Sequence, residues 1–88
     1  MLDLIKNNRF LKDYELIKKR GWDLSLLSTA VKLLIEQKPL PKSYKKHPLK
    51  GKYAGYIDIH IAPDWILIYK IKGNELQLYR TGTHSDLF

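Results

Sequence analysis

Between Lys38 and Tyr53 the chain carries six lysines, three prolines and no acidic residue, and across this segment the spacing of its apolar residues changes period. Before it, Phe10, Tyr14 and Ile17 fall at i, i+4 and i+7, one stripe of a helix, and Leu27, Ala30, Val31 and Leu34 form another. After it, Ile57, Ile59 and Ile61 alternate with Tyr56, Asp58 and His60, the two-residue period of a half-buried strand. A helical part followed by a strand part, parted by a stretch suited to neither, points to an α+β domain of two layers.

Local signals place the elements. Leu2, Leu4 and Ile5 suit a short opening strand, and Asn7 or Asn8 can cap a helix running to about Arg20, where Gly21 supplies a left-handed stop. Asp23 caps a second helix, with Trp22 packing on Leu27 as a staple, and Pro39 prevents its extension. So short a connection predicts an antiparallel helical hairpin. Ala62-Pro63-Asp64 reads as a turn, Trp65 to Ile71 as a central strand buried on both faces, and Gly73-Asn74 as a hairpin turn. The last strand, Glu75 to about Thr81, sets Leu76, Leu78 and Arg80 on one face; Gly82 breaks it, and Thr83 to Phe88 make a flexible polar tail. The expected architecture is a single domain over residues 1–88. It has an N-terminal strand and the helical hairpin on one side of a small, mainly antiparallel sheet whose other face is free for a ligand.

Eighty-eight residues make one domain that buries only about 60% of its unfolded surface, which leaves little room for a deep, enclosed pocket. The formal charge of +7 points to a polyanionic partner, because lysine and arginine gain affinity by displacing counterions from phosphates. The basic stretch is either a solvated connector or a phosphate-contacting arm. Tyr44 and Tyr53 favour the arm by adding stacking surfaces to Lys45, Lys46, Lys50 and Lys52. The absence of cysteine excludes a disulfide framework and a thiolate metal site. With no signal-peptide core and no apolar run near the roughly 18 residues of a membrane span, the expectation is a soluble cytoplasmic protein with no membrane partner.

Chemistry concentrates in the last third, where His60, Asp64, Arg80 and His84 lie between the apolar runs. Metal-free RNA cleavage requires a base for the 2′-hydroxyl, an acid for the departing 5′-oxygen and a cation for the crowded phosphorane. His84 suits the acid, since imidazole is the side chain that gains and loses a proton near neutrality. His60 and Asp64 flank one turn and can converge on the 2′-hydroxyl, Asp64 as base or as the group that sets the imidazole tautomer. Arg80 offers a planar cationic fork, or else a surface ion pair with Asp58 or Asp64. His47 can touch phosphate or share the base role. Trp65 belongs partly to the core and can shape or stack in the site, while Phe88 either folds back as a lid or stacks a base. His60-x3-Asp64 and His84-x-Asp86 lack the pairing of a zinc motif, so neither a metal nor a cofactor is expected.

Three segments together carry a resemblance: His47-Pro48-Leu49-Lys50-Gly51, His60-Ile61-Ala62-Pro63-Asp64-Trp65-Ile66-Leu67-Ile68-Tyr69, and Arg80-Thr81-Gly82-Thr83-His84-Ser85-Asp86-Leu87-Phe88. They resemble the YafQ-type branch of the RelE/ParE superfamily, toxin components of bacterial type II toxin-antitoxin systems. The resemblance covers nearly the whole chain and implies a RelE-like fold. It implies an endoribonuclease, or mRNA interferase, that enters the A site of the 70S ribosome and cuts translated mRNA by 2′-hydroxyl attack, without a metal, leaving a cyclic phosphate and a 5′-hydroxyl. It also implies a cognate antitoxin and a monomeric free toxin. His47, His60, Asp64, Trp65, Arg80, His84 and Phe88 match its active-site set. Lys46 stands where similar sequences often carry an acid, and Ala62 where a glutamate is common. Two other functions remain open: a basic module of the same fold that blocks translation without chemistry, and a gyrase-poisoning toxin, whose branch does not resemble this chain at the histidines.

Overall fold

A computed structural model describes all residues from Met1 to Phe88. In chain order the elements are β1 (Asp3–Lys6), α1 (Asn8–Lys19), α2 (Leu24–Ile35), β2 (His47–Pro48), β3 (Ile57–Ala62), β4 (Trp65–Lys72), β5 (Glu75–Gly82) and α3 (His84–Leu87). One sheet runs β1-β5-β4-β3-β2, with β1 parallel to β5 and every other pair antiparallel. The α+β architecture anticipated from the change of period is the one observed.

The helix boundaries follow from side-chain capping. Asn7 accepts the Phe10 N–H at 2.7 Å and starts α1, and Asp23 accepts the Ser25 N–H at 3.0 Å and starts α2. Gly21, at φ +78°, makes the left-handed turn between them without a Cβ penalty. Trp22 lies against Trp65, ring centroids 5.0 Å apart, which joins the interhelical turn to the first residue of β4.

The main core lies between the helices and one face of the sheet. Phe10 and Ile17 of α1 and Leu27, Ala30 and Leu34 of α2 meet Ile59, Trp65, Leu67, Tyr69, Leu76 and Leu78. The opposite face is not bare, as its polar residues had suggested. Ile66 and Ile68 are covered there by Tyr53 and Leu87, with Leu49, Tyr56 and Tyr79 around them. Tyr53 is therefore a core residue rather than a stacking surface, and Tyr44 packs against the main core. Strand β4 is buried on both faces only as far as Tyr69; Ile71 and Lys72 emerge from the sheet.

Two irregularities set the site. Between Ile68 and Tyr69 the β4–β5 register slips, so Leu78 opposes Tyr69 but Arg80 opposes Ile68. Cross-strand partners share a face, so this bulge carries Arg80 away from Leu76 and Leu78 to the other side of the sheet. Strand β1 ends opposite Leu78, leaving the edge of β5 free beyond it, and Asp13 of α1 occupies that edge. Its carboxylate accepts Arg80 Nε at 2.7 Å, Arg80 Nη2 at 3.1 Å and the Thr81 N–H at 3.1 Å. Arg80 pairs with neither Asp58 nor Asp64.

The C-terminal residues are also ordered differently from expectation. Thr83 and Asp86 form a reciprocal capping box, so the polar tail is a capped helical turn, and Leu87 is buried beneath it. Burial of a leucine side chain contributes about 1.5–3 kcal/mol, so Leu87 is the main anchor of α3.

Removing Asp13 leaves the Arg80 charge buried without its partner. Asp13→Ala is expected to lower unfolding stability by about 3–5 kcal/mol, measured by urea denaturation. A loss below about 1 kcal/mol would show that the pair is not buried in solution.

Candidate active site

The side chains that can move protons stand on the sheet face opposite α1 and α2. His47 opposes Asp58 across β2–β3, and His60, two residues further along β3, opposes Ile66 of β4. A second bulge, between His60 and Ala62, bends the end of β3 into the turn that carries Asp64. Thr83 stops β5, and the first residue of α3 is His84. Two strand ends and one helical turn thus converge.

Asp64 accepts two hydrogen bonds from His84, from the backbone N–H at 3.2 Å and from Nδ1 at 3.1 Å. The backbone bond first, and the imidazole second, hold the Asp64 carboxyl below its ordinary value of 3.8. An ionised Asp64 bound to Nδ1–H leaves Nε2 of His84 as the free nitrogen, the one able to exchange a proton with a ligand. The pair is open to solvent, with side-chain exposures of 58% for His84 and 64% for Asp64, so a polymeric substrate can reach it.

His60 stands between the other two imidazoles, its ring centroid 5.6 Å from that of His84 and 6.3 Å from that of His47. His47 has its own carboxylate: Nδ1 lies 3.0 Å from Asp58 Oδ1 and 3.0 Å from the Lys45 carbonyl. The Nδ1–H is directed to the carbonyl. The approach to Asp58 becomes an ion pair only with a protonated imidazole, and Asp58 Oδ1 makes no hydrogen bond there. Burial raises the Asp58 carboxyl above its ordinary value, and the positive charge of the three histidines works against that rise. Beyond His84 the row continues through Phe88, centroids 6.1 Å apart, to Tyr53 at 5.6 Å, over which Lys52 Nζ lies at 5.5 Å.

No deep cavity encloses this row. A concavity of about 420 Å³ adjoins His60, lined also by Ser43, Tyr44, Lys45 and Pro63. A larger one, about 660 Å³, lies to its side among Lys38, Lys42, Lys45 and Lys46. The arrangement is an open shelf of acid–base groups beside a lysine-lined flank.

Residues 2–88 match the family model described as the bacterial toxin of the type II toxin-antitoxin system, YafQ. The chain belongs to the YafQ toxin family. It is 46% identical over 87 residues to the mRNA interferase toxin YafQ of Escherichia coli strain K12, a match covering 98% of this chain and 95% of that one. Among solved structures, YafQ in the Escherichia coli DinJ–YafQ complex is similar at a TM-score of 0.91 and 45% identity, covering 100% of this chain and 99% of that one. A copper-bound mutant toxin from Helicobacter pylori is similar at a TM-score of 0.95 and 39% identity, each chain covered in full.

Of the residues expected at the toxin's site, His47, His60, Asp64, His84 and the exposed Phe88 are brought together. Asp64, expected beside His60, pairs instead with His84. Arg80 is not a free fork: only 9% exposed, it gives Nε and Nη2 to Asp13, Nη2 also lies 3.5 Å from the Asp86 carbonyl, and the Tyr53 hydroxyl stands within its reach. Trp65 is no stacking platform either. It is 3% exposed and donates Nε1–H to the Thr81 hydroxyl at 2.9 Å, so it holds the turn that presents Asp64. Lys45 reaches the flank of His60 and Lys46 the adjoining concavity, whereas Lys50 and Lys52 stand exposed beyond β2.

Three acids that the motif segments do not single out as site residues stand against these groups: Asp58 beside His47, Asp13 on Arg80 and Asp86 on Arg20. Asp58 carried a signal in its two-residue spacing from His60, which puts both on one strand face, and Asp86 in its capping-box spacing from Thr83; Asp13 carried none.

Asp86 is held well below the ordinary 3.8, chiefly by the Arg20 guanidinium. A folded-state value under the unfolded one means that the contribution of such a carboxylate is complete above the ordinary range and is lost as pH falls through the folded value. The same sign applies to Asp64. Acidification below about pH 4 should therefore loosen α3 before the sheet melts, read as early loss of dispersion in the amide NMR signals of residues 83–88. Loss of helix and sheet signals at one common pH would contradict the linkage.

Proposed function

We propose that this toxin is a ribosome-dependent, metal-independent endoribonuclease that cuts translated mRNA by attack of a 2′-hydroxyl on the adjacent phosphate. The observation that carries the reading is the open Asp64–His84 pair, with two further imidazoles in line on a basic face. His84, protonated and held through Nδ1–H by Asp64, gives its Nε2 proton to the departing 5′-oxygen. His60 or His47 takes the 2′-hydroxyl proton. The 2′-oxygen–phosphorus bond forms as the phosphorus–5′-oxygen bond breaks, leaving a cyclic phosphate and a 5′-hydroxyl.

Charge on the phosphorane is met by the His84 imidazolium and by Lys45 on the flank of His60, since the Arg80 fork is taken by Asp13. Phe88, 60% exposed and beside His84, offers its ring to a neighbouring base. Two solved relatives are metal-bound, one of them with copper, whereas no three histidine or carboxylate side chains of this chain gather as ligands for an ion. No step is assigned to one.

An open shelf cannot itself fix an RNA strand in line for attack. Positioning by the ribosomal A site supplies that orientation, which places much of the catalysis in geometry. A cognate antitoxin covering the basic face silences the free, monomeric toxin. Its place of action is the cytoplasm, and no helix is long and apolar enough to cross a membrane.

His84→Ala is expected to reduce cleavage of ribosome-bound mRNA about 10²–10⁴-fold, and Asp64→Asn to reduce it less, with transcript ends mapped after brief expression in cells. Translation arrest that survives both substitutions would favour the reading of a basic module without chemistry.

Lysines should govern affinity and histidines rate. Lys45→Ala with Lys46→Ala should weaken RNA binding and reduce the slope of log K against log salt by about 1.4, whereas His84→Ala should leave the slope unchanged. Equal loss of binding in both would refute this division.

A further inference from the structure

The Asp64–His84 pair joins two segments that have no other mutual hydrogen bond, the turn before β4 and the turn of α3. One side chain touches the supports of both. Arg20, the C-terminal cap of α1, donates Nη1–H to Asp86 Oδ2 at 2.7 Å and Nη2–H to Asp86 Oδ1 at 3.1 Å, gripping α3 through a two-pronged bond. Its guanidinium carbon also lies 5.3 Å over the Trp22 ring, which packs on Trp65, the residue after Asp64.

The grip is local and directional. Asp86 is the capping-box residue that also accepts the Thr83 N–H at 2.9 Å, immediately before His84. Gly82 makes room for it: a Cβ there would stand 2.8 Å from Asp86 Oδ2. Leu87 anchors α3 by burial, but a buried leucine does not set the rotation of a single helical turn. Directional bonds do: the Tyr53 hydroxyl donates to the Leu87 carbonyl at 3.0 Å on one side of the turn, and the Arg20 fork holds Asp86 on the other.

We propose that Arg20 is a positioning residue for catalysis, holding α3 and the Trp22–Trp65 support in the one arrangement that brings His84 Nδ1 to Asp64. The proposal rests on the reading of His84 as proton donor. Arg20 lies on the helix side of the turn and contacts neither His84 nor the histidine row, so its effect passes through Asp86 and Trp22.

The test compares Arg20→Gln, Arg20→Lys and His84→Ala on ribosome-bound mRNA, together with ¹⁵N NMR of the imidazoles. Arg20→Gln is expected to lower the cleavage rate at saturating ribosomes by about 10–100-fold, with little change in the half-saturating concentration and in salt dependence. Its His84 ring signals should move from the Nδ1–H form toward a mixture of tautomers. Arg20→Lys, which keeps the charge but loses the fork, should recover only part of both.

A wild-type rate in Arg20→Gln, or a slowed enzyme whose His84 signals stay in place, overturns the proposal. Since Arg20 is a surface residue, a marked fall in melting temperature would also overturn it in favour of a folding role. If His84→Ala cleaves normally, the parent reading has failed instead, and the ring signals still decide whether Arg20 orders the pair.

Discussion

A single carboxylate, that of Asp13, closes the end of the sheet on which the site depends. It holds three donors, two from Arg80 and one from the Thr81 backbone, at the point where β1 no longer covers β5. Apolar packing between α1 and β5 tolerates small slippage, because dispersion and burial are non-directional. A buried carboxylate with three bonds does not, since each bond lost leaves a polar group unsatisfied away from water. The path of the chain through Gly82 into α3 is thereby set, and His84 is delivered to the turn that carries Asp64.

The resulting site trades enclosure for alignment. A domain of this size has too little interior for a substrate cavity, and its second core, Tyr53, Ile66, Ile68 and Leu87, occupies the face where a pocket would have been. The acid–base groups therefore stand in a row on the surface, each end backed by a carboxylate: exposed Asp64 behind His84, buried Asp58 behind His47. The two backings differ in kind. Asp64 is ionised and hydrogen-bonded, which orders one imidazole; Asp58 is desolvated, with an oxygen unpaired, so its charge is responsive to the histidines facing it. A row built this way suits an extended strand held by an external scaffold.

Much of this was legible in local chemistry. Asn7, Asp23 and Gly21 announced the helix limits, and the alternation from Tyr56 to Ile61 placed His60 opposite the isoleucines. The motif segments singled out His47, His60, Asp64 and His84 together. Strict alternation through Tyr79 puts Arg80 on the face of Leu76 and Leu78; a bulge that adds one residue to β5 there puts it on the other. The six C-terminal residues read as a loose tail because a four-residue helix has almost no periodicity to detect. The Thr83–Asp86 capping box that orders it becomes convincing only once Leu87 has an apolar surface to cover.

What the sequence determined by itself were quantities that repeat along the chain or act between near neighbours: period, caps, turns, net charge and the kinds of group available for catalysis. What only the tertiary structure decided were the pairings between distant residues: Asp13 with Arg80, Asp64 with His84, Asp58 with His47 and Arg20 with Asp86. The physical reason is that a charged side chain's partner is chosen by distance and burial after the layers have packed, and several acids were equally available to each base beforehand. A bulge of one residue was enough to change which of them met.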